Sequence, residues 1–202
     1  MKSDEDIPQS GGSIQGAFSV GHSARAKADR RIEGLAVADE AGIDRDSLWA
    51  TIRRFAAGVT VVTTVGEEGY LGITVSTFSL VSLEPPLALV CIHEDSQVLG
   101  AITVGGVFAV TVLSSRQELL AEMFAGRAPR PDASFSGIPH RPLLTGAPLL
   151  DGGLAWFDCR LHQTIQAGDH TIFIGAVVAA GIAEEQDDPL VYFGSQYRRL
   201  AP

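Results

Sequence analysis

Residues 154–167 alternate between apolar and polar side chains, which is the pattern of a strand with one buried face. The apolar set is Ala155, Phe157, Cys159, Leu161 and Ile165, and the polar set is Asp158, Arg160, His162 and Thr164. Gly168 and Asp169 then form a turn, and residues 170–182 are almost continuously apolar. This run predicts a second long strand that is covered on both faces, with a second subunit as one candidate cover.

Shorter runs of apolar and β-branched residues surround this pair and predict further strands. They are Val59–Val65, Tyr70–Ser76 after a hairpin loop at Gly66–Gly69, Leu80–Leu83, Leu87–Ile92 after the break at Glu84–Pro86, Val107–Leu113 and Leu190–Phe193. Hairpins dominate, and strands do not alternate regularly with helices. The pattern therefore predicts a mainly β antiparallel barrel with helical excursions, not a doubly wound sheet.

Three short helices and one long loop complete the predicted domain. The first helix is capped by Asp44 or Asp46 and ends at Gly58, and its apolar face consists of Leu48, Ile52, Phe55 and Ala56. The second is capped by Ser96 and runs through Ile102. The third is capped by Ser114 or Ser115, and its apolar residues are Leu119, Leu120, Met123 and Phe124. Residues 126–148 are rich in Pro and Gly and predict the longest loop.

The first 43 residues have a different character from the remainder. They are rich in Gly, Ser, Ala and charged residues and poor in large apolar ones, which predicts a flexible arm with at most a short helix at 24–38. Residues 44–202 are then one folded domain, as the length of 202 residues favours.

Composition and charge exclude several classes of protein. The net charge of −9 disfavours nucleic acid as a partner, because the arginines are scattered and form no basic stripe. No apolar run reaches the roughly 18 residues that a membrane helix needs, and the acidic N-terminus does not resemble a secretory signal. Cys91 and Cys159 lie far apart in apolar stretches, which predicts buried free thiols and suits a cytoplasmic protein.

Familiar catalytic signatures are missing from the chain. It has no G-x-G-x-x-G after a strand, no Walker loop, no H-E-x-x-H and no G-x-S-x-G. The five histidines share no metal-ligand spacing, so no metal site is predicted. Residues 74–79, Thr-Val-Ser-Thr-Phe-Ser, do offer several hydroxyls and consecutive N–H groups that can hold a heterocycle edge and a phosphate. By residue type alone, an ordinary strand is the favoured interpretation of the same residues.

A resemblance to a known family bears on the choice between a binding segment and an ordinary strand at residues 74–79. The run from Gly72 to Leu87 resembles the signature of the flavin reductase family with the FMN-binding split barrel, in which G-(M/I)-T-x-(N/S)-(S/T)-F leads into V-S-L-x-P-P-L. Five further segments resemble family motifs in the same order: Cys91-Ile92-His93 with Ser96, Phe108–Leu113 with Gln117, Phe124-Ala125-Gly126-Arg127, Gly168-Asp169-His170, and Pro189–Phe193. The resemblance covers about residues 44–200.

The resemblance implies a fold, an activity and partners. The fold is an antiparallel split β-barrel that forms a homodimer, with the flavin at the dimer interface. The implied activity is that of an NAD(P)H-dependent flavin reductase, which transfers a hydride from NADH or NADPH to FMN or FAD. Reduced flavin then passes by diffusion to a separate monooxygenase. The alternative is a flavoprotein that holds FMN for electron transfer or binding, with little NAD(P)H turnover.

The resemblance also implies site residues. The flavin ring is expected along Thr74, Val75, Ser76 and Thr77, beside the strand end Cys91-Ile92-His93 and near Phe124. The flavin phosphate is expected at Ser96 and Arg127. His170 is the candidate catalytic residue beside the nicotinamide. By residue type alone, Ser96 is as readily a plain N-cap as a phosphate ligand. For the other three, residue type alone favours a structural role: a solvated loop residue for Arg127, and structural histidines for His93 and His170.

Two departures from the family pattern bear on flavin binding. Val98 stands where a polar residue is frequent, which predicts one phosphate donor fewer and weak flavin retention, as suits a diffusible flavin. Ser76 stands where Asn is frequent, so a ring contact is lost or passes through water. Tyr192 and Tyr197 can stack on the dinucleotide, although core or dimer packing explains them as well.

Overall fold

The computed structural model describes residues 42–129, 135–184 and 187–200, together with the single residues 36 and 38. The chain divides into two compact units, Met1–Asp44 and Arg45–Pro202. The predicted arm at 1–43, with its short helix at 24–38, lies almost entirely outside the described residues, so it stays a prediction. The account below concerns the second unit.

The described residues of this unit form three helices and twelve strands. The helices are α1 (Arg45–Ile52), α2 (Gln97–Gly105) and α3 (Glu118–Phe124). The strands are β1 (Ala57–Gly58), β2 (Thr60–Gly66), β3 (Gly69–Val75), β4 (Ser79–Leu83), β5 (Pro86–His93), β6 (Val107–Val112), β7 (His140–Pro142), β8 (Pro148–Leu150), β9 (Ala155–Ala167), β10 (His170–Ile182), β11 (Val191–Phe193) and β12 (Gln196–Arg198).

Seven of the strands form one antiparallel sheet in the order β3-β2-β6-β9-β10-β5-β4. Its longest members are β9 and β10, the two 13-residue strands that the alternating and apolar runs predict. The hairpin between β2 and β3 turns at Gly66–Gly69, also as predicted. The expectation of a mainly β antiparallel fold is therefore confirmed.

The sheet must be rolled up, because the chain crosses between its two edge strands in a few residues. Edge strand β3 ends at Val75, and the opposite edge strand β4 begins at Ser79. Four Cα steps span at most about 14 Å. Six strand spacings in a flat sheet would separate these edges by about 29 Å. Residues 76–78 therefore join two edges that curvature brings together, which is the geometry of a split barrel.

Two apolar clusters lie on opposite faces of β2. Val62 belongs to a cluster with Phe108 and Phe173, whereas its neighbour Val61 packs in a second cluster with Phe124 and Leu113. Adjacent side chains in a strand point to opposite faces, so this one strand contributes to both clusters. Helix α2 supplies Ile102 to the first cluster, and α3 supplies Phe124 to the second. Each helix thus covers the barrel on a different side.

Two local predictions are wrong for identifiable reasons. Helix α1 ends at Ile52, not Gly58, because Ala57 and Gly58 pair with Tyr192 and Val191 as a strand. Helix α3 has Gln117 at its N-cap position, not Ser114 or Ser115. The backbone of these two serines is engaged elsewhere: Ser114 N donates to the Gln117 side chain, and Ser115 N donates to Asp188 O.

Two further predictions also need correction, one on the exposure of a polar residue and one on a long loop. Asp158 was expected on the solvent face of β9, but it is fully buried and accepts hydrogen bonds from the hydroxyl and the N–H of Thr145. A buried carboxylate requires such partners. The predicted loop at 126–148 contains β7, which pairs with β8 through His140 and Leu150. Alternation alone could not reveal either pairing.

Candidate active site

Six of the sequence-predicted site residues meet at one end of the barrel, where β5 ends and β10 begins. They are Thr77, Cys91, Ile92, His93, Ser96 and His170. The register of β5 and β10 places His93 directly opposite His170. Residues 76–78 reach the same strand end through Thr77. This end of the sheet, beside the split, is therefore the candidate active site.

Thr77 fastens the crossing segment to β5. Its Oγ1 donates to the carbonyl of Cys91 at 3.0 Å and accepts from the N–H of Cys91 at 3.0 Å. The hydroxyl thus replaces the two hydrogen bonds that a paired strand residue would make. Residues 76–78 belong to neither β3 nor β4, so their N–H groups are not committed to a strand ladder. These groups can be donated to the acceptor edge of a flat heterocycle.

Ser96 is the N-cap of α2, as predicted. Its Oγ accepts from Val98 N at 3.3 Å, and its own N–H donates to His93 O at 3.0 Å. The second bond ties the start of the helix to the end of β5. An N-cap hydroxyl retains its hydrogen, so Ser96 can still donate to an anion.

Val98 does not bear on phosphate binding in the way that the sequence indicated. Its side chain is 4% exposed and packs in the cluster with Ile102 and Phe108. A side chain that points into the core cannot contact a phosphate at the helix terminus. The absence of a polar group at Val98 therefore gives no reason to expect weak flavin retention.

The two histidines of this end share one carboxylate. His170 Nδ1 lies 2.7 Å from Asp169 Oδ1, and His93 Nε2 lies 3.9 Å from Asp169 Oδ2. The rings of His93 and His170 meet edge to face, with centroids 5.1 Å apart. The hydrogen bond with His170 holds the pKa of Asp169 below its ordinary value, so the carboxylate is ionised at neutral pH.

Two of the proposed flavin contacts have buried side chains, so a flavin could reach at most their main-chain atoms. Ile92 is 1% exposed and Phe124 is 3% exposed, both within the core. Burial also raises the pKa of the Cys91 thiol, which is therefore neutral near pH 7. The hydroxyl of Thr74 donates to Ala121 O of α3 at 2.8 Å, so it faces that helix. A flavin beside these residues would meet mainly main-chain groups.

Arg127 is bound by a carboxylate and a phenol. Its guanidinium donates to both oxygens of Glu122 at 2.9–3.1 Å, and Nη2 donates to Tyr197 Oη at 2.6 Å. The guanidinium holds the pKa of Glu122 below its ordinary value, and burial raises the pKa of Tyr197 to about 12. These contacts face a groove of about 420 Å³ that Tyr192 also lines. The proposed role of Arg127 at a phosphate stays a prediction.

Sequence reasoning overlooked two groups at these places. Asp169 directly precedes His170 at a strand start, but the motif alone indicates no contact between the two side chains. Glu122 stands five residues before Arg127, and the turn that follows the end of α3, in which Arg127 N donates to Glu122 O, brings the two side chains together. In both cases the signal was the spacing of an acid and a base along the chain.

Neither a cluster of metal ligands nor a membrane-spanning helix is found in the part of the chain that the structure describes. No group of three or more His, Cys, Asp or Glu side chains suited to a metal ion occurs among the described residues. None of the helices in the described part of the chain has the length and hydropathy needed to cross a bilayer.

Known proteins resemble the chain in both sequence and structure. Residues 52–201 match the family described as flavin reductase like domain. The FMN reductase (NADH) RutF of Ancylobacter novellus is 36% identical over 160 residues, which cover 79% of this chain and 87% of that protein. The flavin-dependent monooxygenase reductase subunit HsaB of Mycobacterium tuberculosis is 32% identical over 163 residues, covering 80% of this chain and 86% of its own length.

A solved structure extends the likeness to three dimensions. The NADH:FAD oxidoreductase SgcE6 of Streptomyces globisporus is 36% identical and superposes with a TM-score of 0.73, covering 83% of this chain and 99% of its own. The match of sequence motifs, barrel and family description is consistent throughout residues 52–201. The chain therefore belongs to the flavin reductase family.

Proposed function

We propose that this chain is an NAD(P)H:flavin oxidoreductase that transfers a hydride from a nicotinamide to FMN or FAD and releases the reduced flavin to a partner monooxygenase. The oxidoreductase class follows from the family. The finer statement, in which free flavin is the acceptor, draws on the relatives: one is named an NADH-dependent FMN reductase, another an NADH:FAD oxidoreductase and a third a monooxygenase reductase subunit. NADH is accordingly the expected reductant.

The observation that carries the proposal is the meeting of three different binding features at one end of the barrel. They are the uncommitted N–H groups of residues 76–78, the helix start capped by Ser96, and the imidazole of His170. N–H groups suit the carbonyl edge of an isoalloxazine. A capped helix start suits a phosphate, because helix N–H groups point outward there. An imidazole suits orientation of a nicotinamide.

The donor set fits a flavin. The groups offered are main-chain N–H donors and serine hydroxyls, whereas the acceptors on a flavin edge are carbonyl oxygens and ring nitrogens. When bound, flavin supplies the two-electron acceptor chemistry of the reaction. The protein has to align the two rings, so no acid–base triad is required for the transfer itself. Donors that point at the ring also stabilise the negative charge that reduction adds.

The individual residues then have distinct tasks. Thr77 holds the crossing segment rigid through both of its bonds to Cys91, so the N–H donors keep their direction. Ser96 can donate to a phosphate while its Oγ caps α2. His170, which is half exposed at the start of β10, is accessible to a nicotinamide that binds at this end of the barrel. The neutral thiol of Cys91 avoids a competing charge beside the ring.

A homodimer completes this proposal. Helix α1 has no buried residue, although Leu48, Trp49 and Ile52 are each about half exposed. Leu80 and Leu83 of edge strand β4 are also exposed. An eight-residue helix is marginal without tertiary packing, so a surface of this kind calls for a cover. A second copy of the chain, seated on α1, supplies one.

Steady-state oxidation of NADH, followed by absorbance with FMN, with FAD and without added flavin, tests the proposal. We expect turnover that depends on added free flavin and is lower with NADPH. A preparation that is already yellow and reacts once with NADH would instead support a flavoprotein for electron transfer. No turnover with either dinucleotide and either flavin would contradict the reductase function.

A further inference from the structure

Two carboxylates directly precede the helix start that the proposed function assigns to the flavin phosphate. Ser96 is the N-cap of α2, and the two residues before it are Glu94 and Asp95. Both acidic side chains are exposed, that of Asp95 to 94%. Two main-chain bonds fix this segment, from Glu94 N to Asp169 O at 3.1 Å and from Ser96 N to His93 O at 3.0 Å. The acidic pair is therefore held beside the N-terminus of α2.

The neighbours of the acidic pair do not compensate its charge. Oε1 of Glu94 accepts from the carboxamide of Gln166 at 3.3 Å, and an amide is uncharged. The N–H of Asp95 donates to Nδ1 of His93 at 3.2 Å, so this nitrogen is an acceptor and carries no hydrogen. His93 is then a neutral imidazole, although it lies 3.7 Å from the Asp95 carboxylate. Among the described residues, neither carboxylate forms an ion pair with an arginine.

The cation that the sequence motif places at the phosphate is engaged by another carboxylate. Arg127 donates to both oxygens of Glu122 and to the hydroxyl of Tyr197, so its charge is compensated there. The lysines of the chain are Lys2 and Lys27, which both precede the described residues. A phosphate at the start of α2 therefore meets N–H and hydroxyl donors on one side and two carboxylates on the other.

These carboxylates act on the phosphate of a flavin more than on its ring. A phosphate monoester carries up to about two negative charges above neutral pH, whereas riboflavin has no phosphate. Like charges repel over several ångströms in water, and salt screens the repulsion. Carboxylates just before a helix also stabilise its positive end, which leaves less of that field for a bound anion. The flavin ring instead meets the uncommitted N–H groups of residues 76–78, which need no charge on the ligand.

We propose that Glu94 and Asp95 determine the flavin specificity of this chain: they disfavour the phosphate, so the site selects flavin by its ring and binds riboflavin at least as tightly as FMN. This inference rests on the proposed function and deepens it by naming the substrate class, which is flavins with or without a phosphate. It also supplies a reason for weak flavin retention that Val98 does not.

Equilibrium binding of oxidised riboflavin and FMN, followed by fluorescence quenching, tests the proposal on the parent chain. The measurement is made at about 10 mM and about 300 mM NaCl and at pH 8, above the range in which histidine ordinarily titrates. We expect the dissociation constant for FMN to fall about threefold at the higher salt, because screening removes the repulsion. That for riboflavin should stay within about twofold. An FMN affinity that salt weakens, as phosphate binding by a cation requires, would overturn the proposal.

The double variant Glu94→Gln/Asp95→Asn removes both charges and keeps the shapes and the hydrogen bond from Gln166. At low salt it should bind FMN about three- to tenfold more tightly than the parent, with riboflavin affinity within about twofold. Its FMN affinity should no longer rise with salt. Unchanged FMN affinity in this variant would overturn the proposal.

The matched control is Glu67→Gln/Glu68→Gln, which makes the same change of net charge in the β2–β3 turn. That turn follows Val65, whose carbonyl oxygen lies 3.6 Å from a Cβ built on Gly105 at the opposite end of α2. The control should change FMN affinity by less than about twofold. Equal tightening by the two double variants would assign the effect to net charge and overturn the proposal.

Turnover separates this inference from the proposed function. With NADH as reductant, we expect kcat/KM for riboflavin to be at least as high as that for FMN, and the double variant Glu94→Gln/Asp95→Asn to shift the ratio towards FMN. A chain that reduces both flavins but binds FMN more than about tenfold more tightly than riboflavin defeats this inference alone. A chain that reduces neither flavin with NADH defeats the proposed function, whatever its binding shows.

Discussion

Gly175 occupies a position in β10 where no larger side chain fits. A Cβ built there would lie 2.5 Å from Cζ of Phe108 and 2.9 Å from Cβ of Cys159. Phe108 and Cys159 are both fully buried, so neither has space to withdraw. The β9–β10 register is also irregular between Ile174 and Gly175. The residue therefore lets two strands of the barrel approach a buried ring.

Gly175→Ala should lower the free energy of unfolding by roughly 1–3 kcal/mol, the usual cost of overpacking. Urea denaturation measures the change. Gly100→Ala is the matched control, because Gly100 is exposed within α2 and a Cβ there meets nothing within 4 Å. That variant should gain about 0.5–1 kcal/mol, since Gly is a poor helix former. Equal effects at the two positions would contradict the packing argument.

Thr77 is the residue on which the geometry of the crossing segment depends most directly. Thr77→Val keeps the shape of the side chain and removes both bonds to Cys91. We expect the dissociation constant for FMN to rise about three- to tenfold, because the N–H donors of residues 76–78 lose their fixed direction. Fluorescence quenching of free FMN gives the constant. Thr103→Val, which removes an exposed hydroxyl that bonds within α2, should leave it unchanged.

At the scale of elements, α3 is joined to the C-terminal hairpin by one charged contact. Glu122 of α3 holds Arg127, and Arg127 holds Tyr197 of β12. The same hairpin pairs through β11 with β1. These contacts bring together residues that are far apart in sequence. They lie on the apolar cluster that contains Val61 and Phe124, next to the end of β3 at Thr74.

This contact predicts a pH dependence of stability. The pKa of Glu122 is lowered in the folded state, mainly by the hydrogen bond from Arg127, so the contact stabilises the fold above the ordinary value of 4.5 and is lost as pH falls through the lowered value. Glu122→Gln should cost less than about 1 kcal/mol at pH 7, as exposed pairs do. The difference from the parent should shrink on acidification below about pH 4.5 and then vanish.

Chemical unfolding across an acid pH series measures this dependence. Glu118→Gln makes the same charge change one turn earlier on α3, which makes it the appropriate control. If both variants lose the same stability at every pH, general charge and not the Arg127 contact would be responsible.

Local patterns predicted the elements whose causes are local. The β2–β3 hairpin is specified by two β-branched runs around Gly66 and Gly69, and the long strands β9 and β10 by their alternation and apolar length. The end of α1 was missed because Ala57 pairs with Tyr192, more than a hundred residues away. Asp158 was misplaced because its partner Thr145 lies in the loop between β7 and β8, and the alternating pattern of β9 gives no sign of such a bond.

The candidate site shows the same difference between features with local causes, which the sequence predicts, and features that depend on tertiary packing. The resemblance supplied Thr77, Ser96 and His170 by motif, and the N-cap of Ser96 followed from its residue type. The sharing of Asp169 by two histidines could not be read from the motif, because it depends on the register of β5 against β10. Likewise the occupation of Arg127 by Glu122 and Tyr197 needs the packing of the hairpin against α3.

At the scale of the whole molecule, the exposed face of α1 predicts self-association. Light scattering should give about twice the chain mass of 21.3 kDa. Ile52→Lys places a charge among the half-exposed apolar side chains of α1 and should shift the population to monomer. Leu119→Lys, at an exposed apolar position of α3, should remain dimeric. A parent chain that is monomeric at micromolar concentration would contradict this interface.

The central claim is that free flavin binds at the split end of the barrel, is reduced there and is then released. Anaerobic mixing of a trace of the protein with excess free FMN and excess NADH tests it directly, with the flavin absorbance band as the signal. The account predicts that each molecule of protein bleaches many equivalents of FMN, and that His170→Ala slows this at limiting NADH. Bleaching that stops at one equivalent per chain, or never begins, would contradict it.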